Sequence, residues 1–279
     1  MTQSPEEVVN AWRESARYWE KHRATIRQMF APVTRALVEE AAMCEGHSVL
    51  DVAGGAGEPS LTIAETVGAQ GSVVCTDIVI EMVEAARRES KKLGLTNISF
   101  QRCAADQLPF ESESFDHAVS RFGVMFFPDP VAGIREMLRI IKPTGRIAFA
   151  VWHNREFNPF FGSVTEVLSR YVESLPEDLD APGAFRFAES GKLAALLTQA
   201  RATDVKESLL RFHIEAPIPF EEFWPLRSEM SDTLRDKLSR LPADQILSLV
   251  RDLKEASRDF FPDQKMSFPA EAIIVSGKK

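Results

Sequence analysis

The residues with the most chemical promise lie in one short run, "VLDVAGGAGEPSLTIAE", from Val49 to Glu65. An apolar strand leads into Asp51, then a loop containing Gly54, Gly55 and Gly57, then a second apolar-periodic segment. Glycines at the carboxyl end of a strand that feeds a helix let backbone N–H groups come close to a ligand, because no Cβ intervenes. That geometry suits an anion or a nucleotide. A P-loop is excluded, since no Lys-Ser/Thr pair follows the glycines and a triphosphate would lack its cation. The dinucleotide fingerprint GxGxxG begins at Gly55 and Gly57, but Ser60 stands at its third glycine position. Asp77 closes the next apolar run, in "VVCTDIVIEM", twenty residues beyond Gly57. A carboxylate there can accept hydrogen bonds from both hydroxyls of a ribose, so loop and acid together point to an adenosine-containing ligand. The competing reading makes Asp77 the N-cap of a helix starting near Ile80.

Groups able to move a proton are few, with five histidines and two tyrosines in the chain. His153 stands immediately beyond the fifth expected strand, on the sheet edge where ligands of α/β proteins sit. Cys44, Cys75 and Cys103 are odd in number and show no CxxC or Cys/His pairing, so neither a disulfide framework nor a metal site is expected.

These residues need a scaffold, and the pattern supplies one. Ser4-Pro5-Glu6-Glu7 reads as an N-cap, a proline at the first helical position and acids in the first turn, opening a helix through about Glu20; a second helix runs to about Cys44. From Ser48 the chain alternates. Strands are expected at Ser48 to Val52, Ser72 to Thr76, Ile98 to Ala104, Phe115 to Ser120 and Arg146 to Trp152. The intervening helices include Ile80 to Leu93, stopped by Gly94, and Asp129 to Ile141, stopped by Lys142-Pro143-Thr144-Gly145. That rhythm means a parallel sheet in an α/β fold. After Trp152 come helices at Phe160 to Ser174 and Ser190 to Ala200, separated by a Pro/Gly/Asp-containing stretch from Pro176 to Gly183. A strand at Val205 to Ile214 resumes the sheet. Ala216 to Pro269 reads as an insertion with helices at Asp232 to Ser239 and Asp244 to Ala256, before a last strand at Glu271 to Val275.

With 44% hydrophobic and 27% charged residues, the 279-residue chain has the composition of a globular protein with a substantial core. A net charge of −8 argues against nucleic acid or an anionic membrane as partner and for a small molecule. No run reaches the length of a membrane span, and "MTQSPEEVVN" lacks the basic and apolar regions of a secretory signal, so the expected address is cytoplasmic.

Four blocks in order, "VLDVAGGAG", "VVCTDIVIEMVEAARR", "AADQLPFESESFDHAVSRFGVMFFPDP" and "MLRIIKPTGRIAFAVW", resemble a class I S-adenosylmethionine-dependent methyltransferase. The similarity is to the small-molecule branch that includes the ubiquinone/menaquinone-biosynthesis enzymes, and it spans roughly Ser48 to Trp152. It implies a Rossmann-like, seven-stranded, mostly parallel sheet with helices on both faces. Residues 1–45 would form an N-terminal helical lid, 46–215 the cofactor-binding core with a helical excursion at 153–189, 216–269 a helical cap, and 270–279 the final core strand.

The resemblance also implies a cofactor, S-adenosyl-L-methionine, and residues to hold it. Asp51, Ala53, Gly54, Gly55 and Gly57 fall on the family's acidic residue and GxGxG loop, with Ala53 where the first glycine usually stands; an alanine fits there if its φ is negative. Asp51 would orient the loop or the methionine amino group, and N–H groups near Gly55 and Gly57 would receive the methionine carboxylate. Asp77 would bind the ribose, with Ile78 and Met82 near the adenine. The family's adenine-binding aspartate falls on Ala104, which leaves the Ala105 backbone, and Asp106 as a replacement acceptor. Ser120, Arg121 and Phe122 would sit beside the sulfonium, chiefly through their backbone. Pro59 reads as an early-helix residue, and Glu58 beside it as an acid near the bound sulfonium.

Methyl transfer from a sulfonium has a neutral leaving group, so it chiefly requires alignment and exclusion of water. A base is useful only where the acceptor must lose a proton. His153 is one candidate; His22 and Tyr18, on helices that close over the cofactor in this family, are others. The acceptor pocket would draw on the aromatics of "FNPFF", "FRF" and "FEEFW", which suit an apolar or aromatic acceptor or form the cap's own core. Arg186 and Arg227 would meet an anionic acceptor group or stand in solvent. Two other classes stay open at this level: an NAD-dependent oxidoreductase on a similar sheet, and a noncatalytic S-adenosylmethionine-binding protein. The oligomeric state and the methylated atom are not encoded in any of these motifs.

Overall fold

Ser4 and Glu7 open the chain with a reciprocal cap: Glu7 N–H donates to Ser4 Oγ at 3.3 Å and Ser4 N–H to Glu7 Oε2 at 2.6 Å. The helix they start, α1 (Pro5–Lys21), is followed by α2 (Arg23–Met29) and α3 (Ala31–Glu40). The single second helix expected as far as Cys44 is therefore two. Pro32 explains the break, because inside a continuous helix it would remove one hydrogen bond and clash with a preceding carbonyl. It is instead accommodated in the first turn of α3.

The computed structural model describes residues 4–173 and 178–279. Seven strands, β1 (Ser48–Val52), β2 (Ser72–Asp77), β3 (Ile98–Arg102), β4 (Phe115–Arg121), β5 (Ile141–Trp152), β6 (Thr203–Ala216) and β7 (Met266–Lys278), form one sheet in the order β3-β2-β1-β4-β5-β7-β6. The first five run parallel, and β7 runs antiparallel to both of its neighbours, β5 and β6. This is the expected α/β, Rossmann-like, mostly parallel architecture.

The remaining helices are α4 (Ser60–Val67), α5 (Ile80–Leu93), α6 (Pro130–Ile140), α7 (Pro159–Leu168), α8 (Lys192–Gln199), α9 (Phe220–Met230), α10 (Asp232–Ser239) and α11 (Ala243–Ala256). Side chains alternate across a strand, and β5 divides them cleanly. Ile147, Phe149 and Val151 enter one core with Ile134 of α6, Val164 of α7 and Leu193 of α8. Ala148 and Ala150 enter the other, with Leu37 of α3 and Ile63 of α4. Helices thus cover both faces, and α3 belongs to a sheet layer rather than to a lid.

Several boundaries moved. β5 begins at Ile141, where the Lys142-Pro143-Thr144-Gly145 stretch was expected to be a helix stop only, and its pairing with β4 is irregular there. β7 starts at Met266 because it forms a long ribbon with β6, paired from Thr203 to Ala216. β3 ends at Arg102, and α7 ends at Leu168; Ser174, its expected end, lies outside the described residues, as does the start of the Pro176 to Gly183 stretch. α9 was not anticipated, since Pro225 in its middle argues against a helix.

Candidate functional site

The chain runs from β1 outward to β2 and β3, then returns to place β4 on the other side of β1. At such a reversal the loops leaving β1 and β4 diverge and open a crevice at the carboxyl ends of the strands. Asp51 at the end of β1, Asp77 at the end of β2, Ser120 and Arg121 at the end of β4, and Trp152 at the end of β5 all arrive at this edge.

Asp51 is fully buried. Ser60 Oγ donates to its Oδ2, while its Oδ1 has no partner among the described residues. Burial pushes the carboxyl up to about 7, against the opposing pull of Ser60 and Arg121. Gly54 is required beside it: a Cβ there would lie 2.7 Å from Asp51 Oδ2 and 2.8 Å from Cys75 Sγ. The negative φ on which the fit of Ala53 rested is not found. Ala53 has φ of 59°, a left-handed alanine, at a cost of about 1–2 kcal/mol relative to glycine. Gly123 makes room for its methyl, since a Cβ on Gly123 would lie 2.6 Å from Ala53 Cβ and 2.6 Å from Ser120 Oγ.

The loop's N–H groups do not face outward as expected. Gly55 N–H donates to Asp77 Oδ2 at 3.0 Å, and Gly57 N–H to Gly54 O at 3.1 Å. Asp77 also accepts from Val79 N–H through Oδ1 at 2.9 Å, so it both ties the loop to β2 and caps the turn before α5. Each carboxylate oxygen accepts more than one hydrogen bond, which leaves Asp77 capacity for ribose hydroxyls. Burial raises its carboxyl to about 6, with the bonds from Val79 and Gly55 opposing the shift. Ile78 is 39% exposed, whereas Met82 is sealed in a cluster with Ala16, Ala56, Val79 and Ala85. Ala105 is half-buried against the main core, and Asp106 is exposed with no hydrogen bond among the described residues.

Ser120 is fully buried and its hydroxyl, like Asp51 Oδ1, has no partner among the described residues. Arg121 turns beneath the loop rather than toward a ligand: Nη1 donates to Thr34 Oγ1 at 2.8 Å and Nη2 to Glu58 O at 3.0 Å. Phe122 has φ of 61° and stacks on Trp152 with ring centroids 4.1 Å apart. His153 Nδ1 lies 3.0 Å from Glu271 Oε2, and its ring stacks on Phe157. Its other ring nitrogen has no partner among the described residues. Asn158, which sequence reasoning missed, fixes this corner: its Nδ2 donates to the carbonyls of His153, Asn154 and Glu271, and its Oδ1 accepts from Glu271 N–H.

Two arginines of the N-terminal helices grip the loop, and neither was singled out from sequence because their partners are remote along the chain. Arg23 Nε donates to Ala56 O at 3.1 Å, Nη2 to Ala85 O at 3.2 Å, and Nη1 pairs with Glu89. Arg27 pairs with Glu65, and its Nε lies 3.2 Å from Glu58 Oε1 without hydrogen-bond alignment. Glu58 also accepts from Thr62 Oγ1 at 2.8 Å, so this acid ties the loop to the lid. Pro59 is the N-cap of α4, one position before the helix in which it was expected. His22 Nε2 sits 2.6 Å from Glu229 Oε2 of α9, and Arg17 Nη2 donates to the Tyr18 hydroxyl at 2.7 Å; Arg235 of α10 lies over the Tyr18 ring. Both of these candidate bases thus lie where the end of α1 meets α9 and α10.

The aromatics after Trp152 divide. Phe160, Phe187 and Phe223 are core, whereas Phe161, Phe185 and Trp224 are half-buried and Phe157 is exposed. Among the described residues no three His, Cys, Asp or Glu side chains cluster as metal ligands, and no helix is long and apolar enough to cross a membrane. Burial raises the thiol of Cys103 to about 11 and that of Cys75 well above its ordinary value, so neither is a thiolate nucleophile at neutral pH.

This site has relatives. The chain is 38% identical over 122 residues to aklanonic acid methyltransferase DauC of Streptomyces sp. (strain C5), covering 44% of this chain and 56% of that protein. It is 37% identical over 114 residues to the ubiquinone/menaquinone biosynthesis C-methyltransferase UbiE of Cellvibrio japonicus, covering 40% and 46%. The chain spans about half the length of the curated relatives it matches. The solved structure of YcgJ from Bacillus subtilis shares its fold, with a TM-score of 0.57 at 21% identity over 88% of this chain and 97% of that one. The model of the ubiE/COQ5 methyltransferase family matches residues 28–170, which run from α2 just beyond α7 and take in the glycine loop and the ends of β1, β2, β4 and β5. On that match, over half of its length, the chain belongs to the ubiE/COQ5 methyltransferase family.

Proposed function

We propose that the chain catalyses S-adenosylmethionine-dependent transfer of a methyl group to a small apolar or aromatic metabolite by in-line displacement. The observation that carries this reading is Asp51: a buried carboxylate with one unbonded oxygen, at the head of a glycine loop tied to a second acid at the ribose position. A buried acid left half-satisfied is costly unless a cationic donor completes it, and the amino group of an amino acid is such a donor. When bound, the cofactor supplies an electrophilic methyl on a positively charged sulfur.

What the protein contributes is position. Asp77 holds the loop and retains lone pairs with which to accept from ribose hydroxyls. Arg23 and Arg27 press α2 onto the loop, and Ala16 of α1 covers Ala56, which excludes water from the loop's outer side. Phe122 stacks on Trp152 at the ends of β4 and β5, an aromatic pair suited to an aromatic acceptor. His153 with Glu271 can take a proton where the acceptor has one to lose. The acidic balance of the chain, −8, favours a small metabolite over a nucleic acid as acceptor.

Ser60 in place of the third dinucleotide glycine and the family membership together weigh against an NAD-dependent oxidoreductase. Calorimetric titration tests the reading: S-adenosylhomocysteine binds and Asp51→Asn weakens it, while NADH does not bind. Binding of NADH with none of S-adenosylhomocysteine would overturn it.

A further inference from the structure

Arg227, on α9, is only 9% exposed, yet no carboxylate among the described residues pairs with it. Its single hydrogen bond among the described residues runs from Nε to Phe160 O at 3.3 Å. The guanidinium lies over the rings of Phe160 and Phe161, 5.3 Å and 5.0 Å from their centroids. The charged side chain acting on it is a second cation, Arg155; burial first, then Arg155, push Arg227 down to about 10, so it stays charged at neutral pH. Neither terminal amino group is bonded among the described residues, and neither is among the fully buried unbonded atoms.

A buried cation without a counterion is costly, and aromatic faces compensate it only in part. Two adjacent free amino groups of one guanidinium form the fork that grips a carboxylate at both oxygens. The rings beside Arg227 continue as a row: Phe161 meets Phe185 edge-on at 5.5 Å and Trp152 at 5.0 Å, and Trp152 stacks on Phe122 at 4.1 Å, next to Ser120. Arg155, over the Phe185 ring at 4.7 Å, lines with Phe185, Arg186 and Lys192 a neighbouring cavity of about 920 Å³ that Arg227 itself does not line. α9 lies outside residues 28–170, the segment that the family model matches.

We propose that Arg227 anchors the methyl acceptor, and that the acceptor is a flat aromatic carboxylate whose far end reaches the crevice at Phe122. The carboxylate is the handle and the methyl is received elsewhere on the molecule, since Phe161 and Trp152 stand between the guanidinium and Phe122. This rests on the methyl-transfer reading for its name as acceptor, but the anchor itself is measurable without the cofactor.

The test uses the full chain, with and without saturating S-adenosylhomocysteine, titrated with 2-naphthoate and anthracene-2-carboxylate and with their primary amides, which keep the shape and lose the charge. Wild type binds each carboxylate at least about tenfold more tightly than its amide. Arg227→Met abolishes the preference, and Arg227→Lys retains part of it as a point charge. Equal binding of acid and amide by wild type, no binding of either carboxylate, or an undiminished preference in Arg227→Met overturns the proposal. Should Arg227→Met fail to fold, Arg227→Lys decides, with an undiminished preference again fatal. Carboxylate preference in a protein that binds no S-adenosylhomocysteine refutes methyl transfer and leaves the anchor standing; the reverse pattern does the opposite.

Discussion

The N–H of Gly55 donates to the carboxylate of Asp77 across 3.0 Å, so the glycine loop after β1 is held by the acid that ends β2. The same carboxylate receives Val79 N–H. Loop shape and ribose recognition are thereby joined in one side chain.

Replacing Asp77 by alanine should therefore damage both. Two backbone donors lose their acceptor, at a cost of about 1–3 kcal/mol in stability. Affinity for S-adenosylhomocysteine should fall at least about tenfold, and affinity for adenosine with it, because the loss is on the ribose side. Urea unfolding and calorimetric titration check the two parts; unchanged adenosine binding would remove the ribose role and leave only the turn.

Asp51 carries a pH signature. An acid whose carboxyl is raised on folding holds its proton more tightly in the folded state, so its contribution to stability declines as pH climbs from 3.8 toward about 7. Asp77, raised to about 6, acts in the same direction. His117, pushed down to about 4 by burial, acts in the opposite direction in an overlapping window, so the wild-type profile is a difference of terms. Subtraction isolates Asp51: Asp51→Asn should gain stability relative to wild type as pH rises between about 4 and 7. A stability difference independent of pH would contradict the assigned burial.

Arg23 is the clamp between lid and loop. Arg23→Met keeps the stem's packing but removes the donors to Ala56 O and Ala85 O and the pair with Glu89. Hydrogen exchange at residues 54–58 should quicken, and the S-adenosylhomocysteine off-rate should rise about tenfold with a smaller change in on-rate. An off-rate equal to wild type would mean that α2 does not retain the ligand.

Catalysis by alignment sets an expectation for the histidines. A general base contributes about 10²–10⁴-fold, so His153→Ala and His22→Ala should each keep kcat within about tenfold of wild type if position dominates. His22→Ala should instead raise KM, because it unties the lid from Glu229 on the cap. A kcat loss of a hundredfold or more in His153→Ala, about the lower bound for a base, would make its free ring nitrogen the catalytic base.

The legible parts of the chain were those with local cause. Gly94 stops α5 in the left-handed conformation, Asp129 caps α6 through Ala132 N–H, and the apolar runs of β1 and β2 ended where the acids Asp51 and Asp77 led one to expect. What failed depended on remote partners. Nothing adjacent to Ala53 announces its left-handed φ, which Gly123 accommodates from seventy residues away. The inward turn of Gly55 N–H depends on Asp77, and the direction of Arg121, at the end of β4, on Thr34 of α3. Arg227 read as either solvated or ligand-facing until α9, hidden by Pro225, placed it among the rings of Phe160 and Phe161.

The most direct test of the central claim is incubation with methyl-labelled S-adenosylmethionine and a metabolite extract, followed by mass spectrometry of the small-molecule fraction. The account predicts label in an apolar or aromatic product, lost in Asp51→Asn. Tight binding of S-adenosylhomocysteine with no labelled product from any extract would contradict it and mark the chain as a noncatalytic binder.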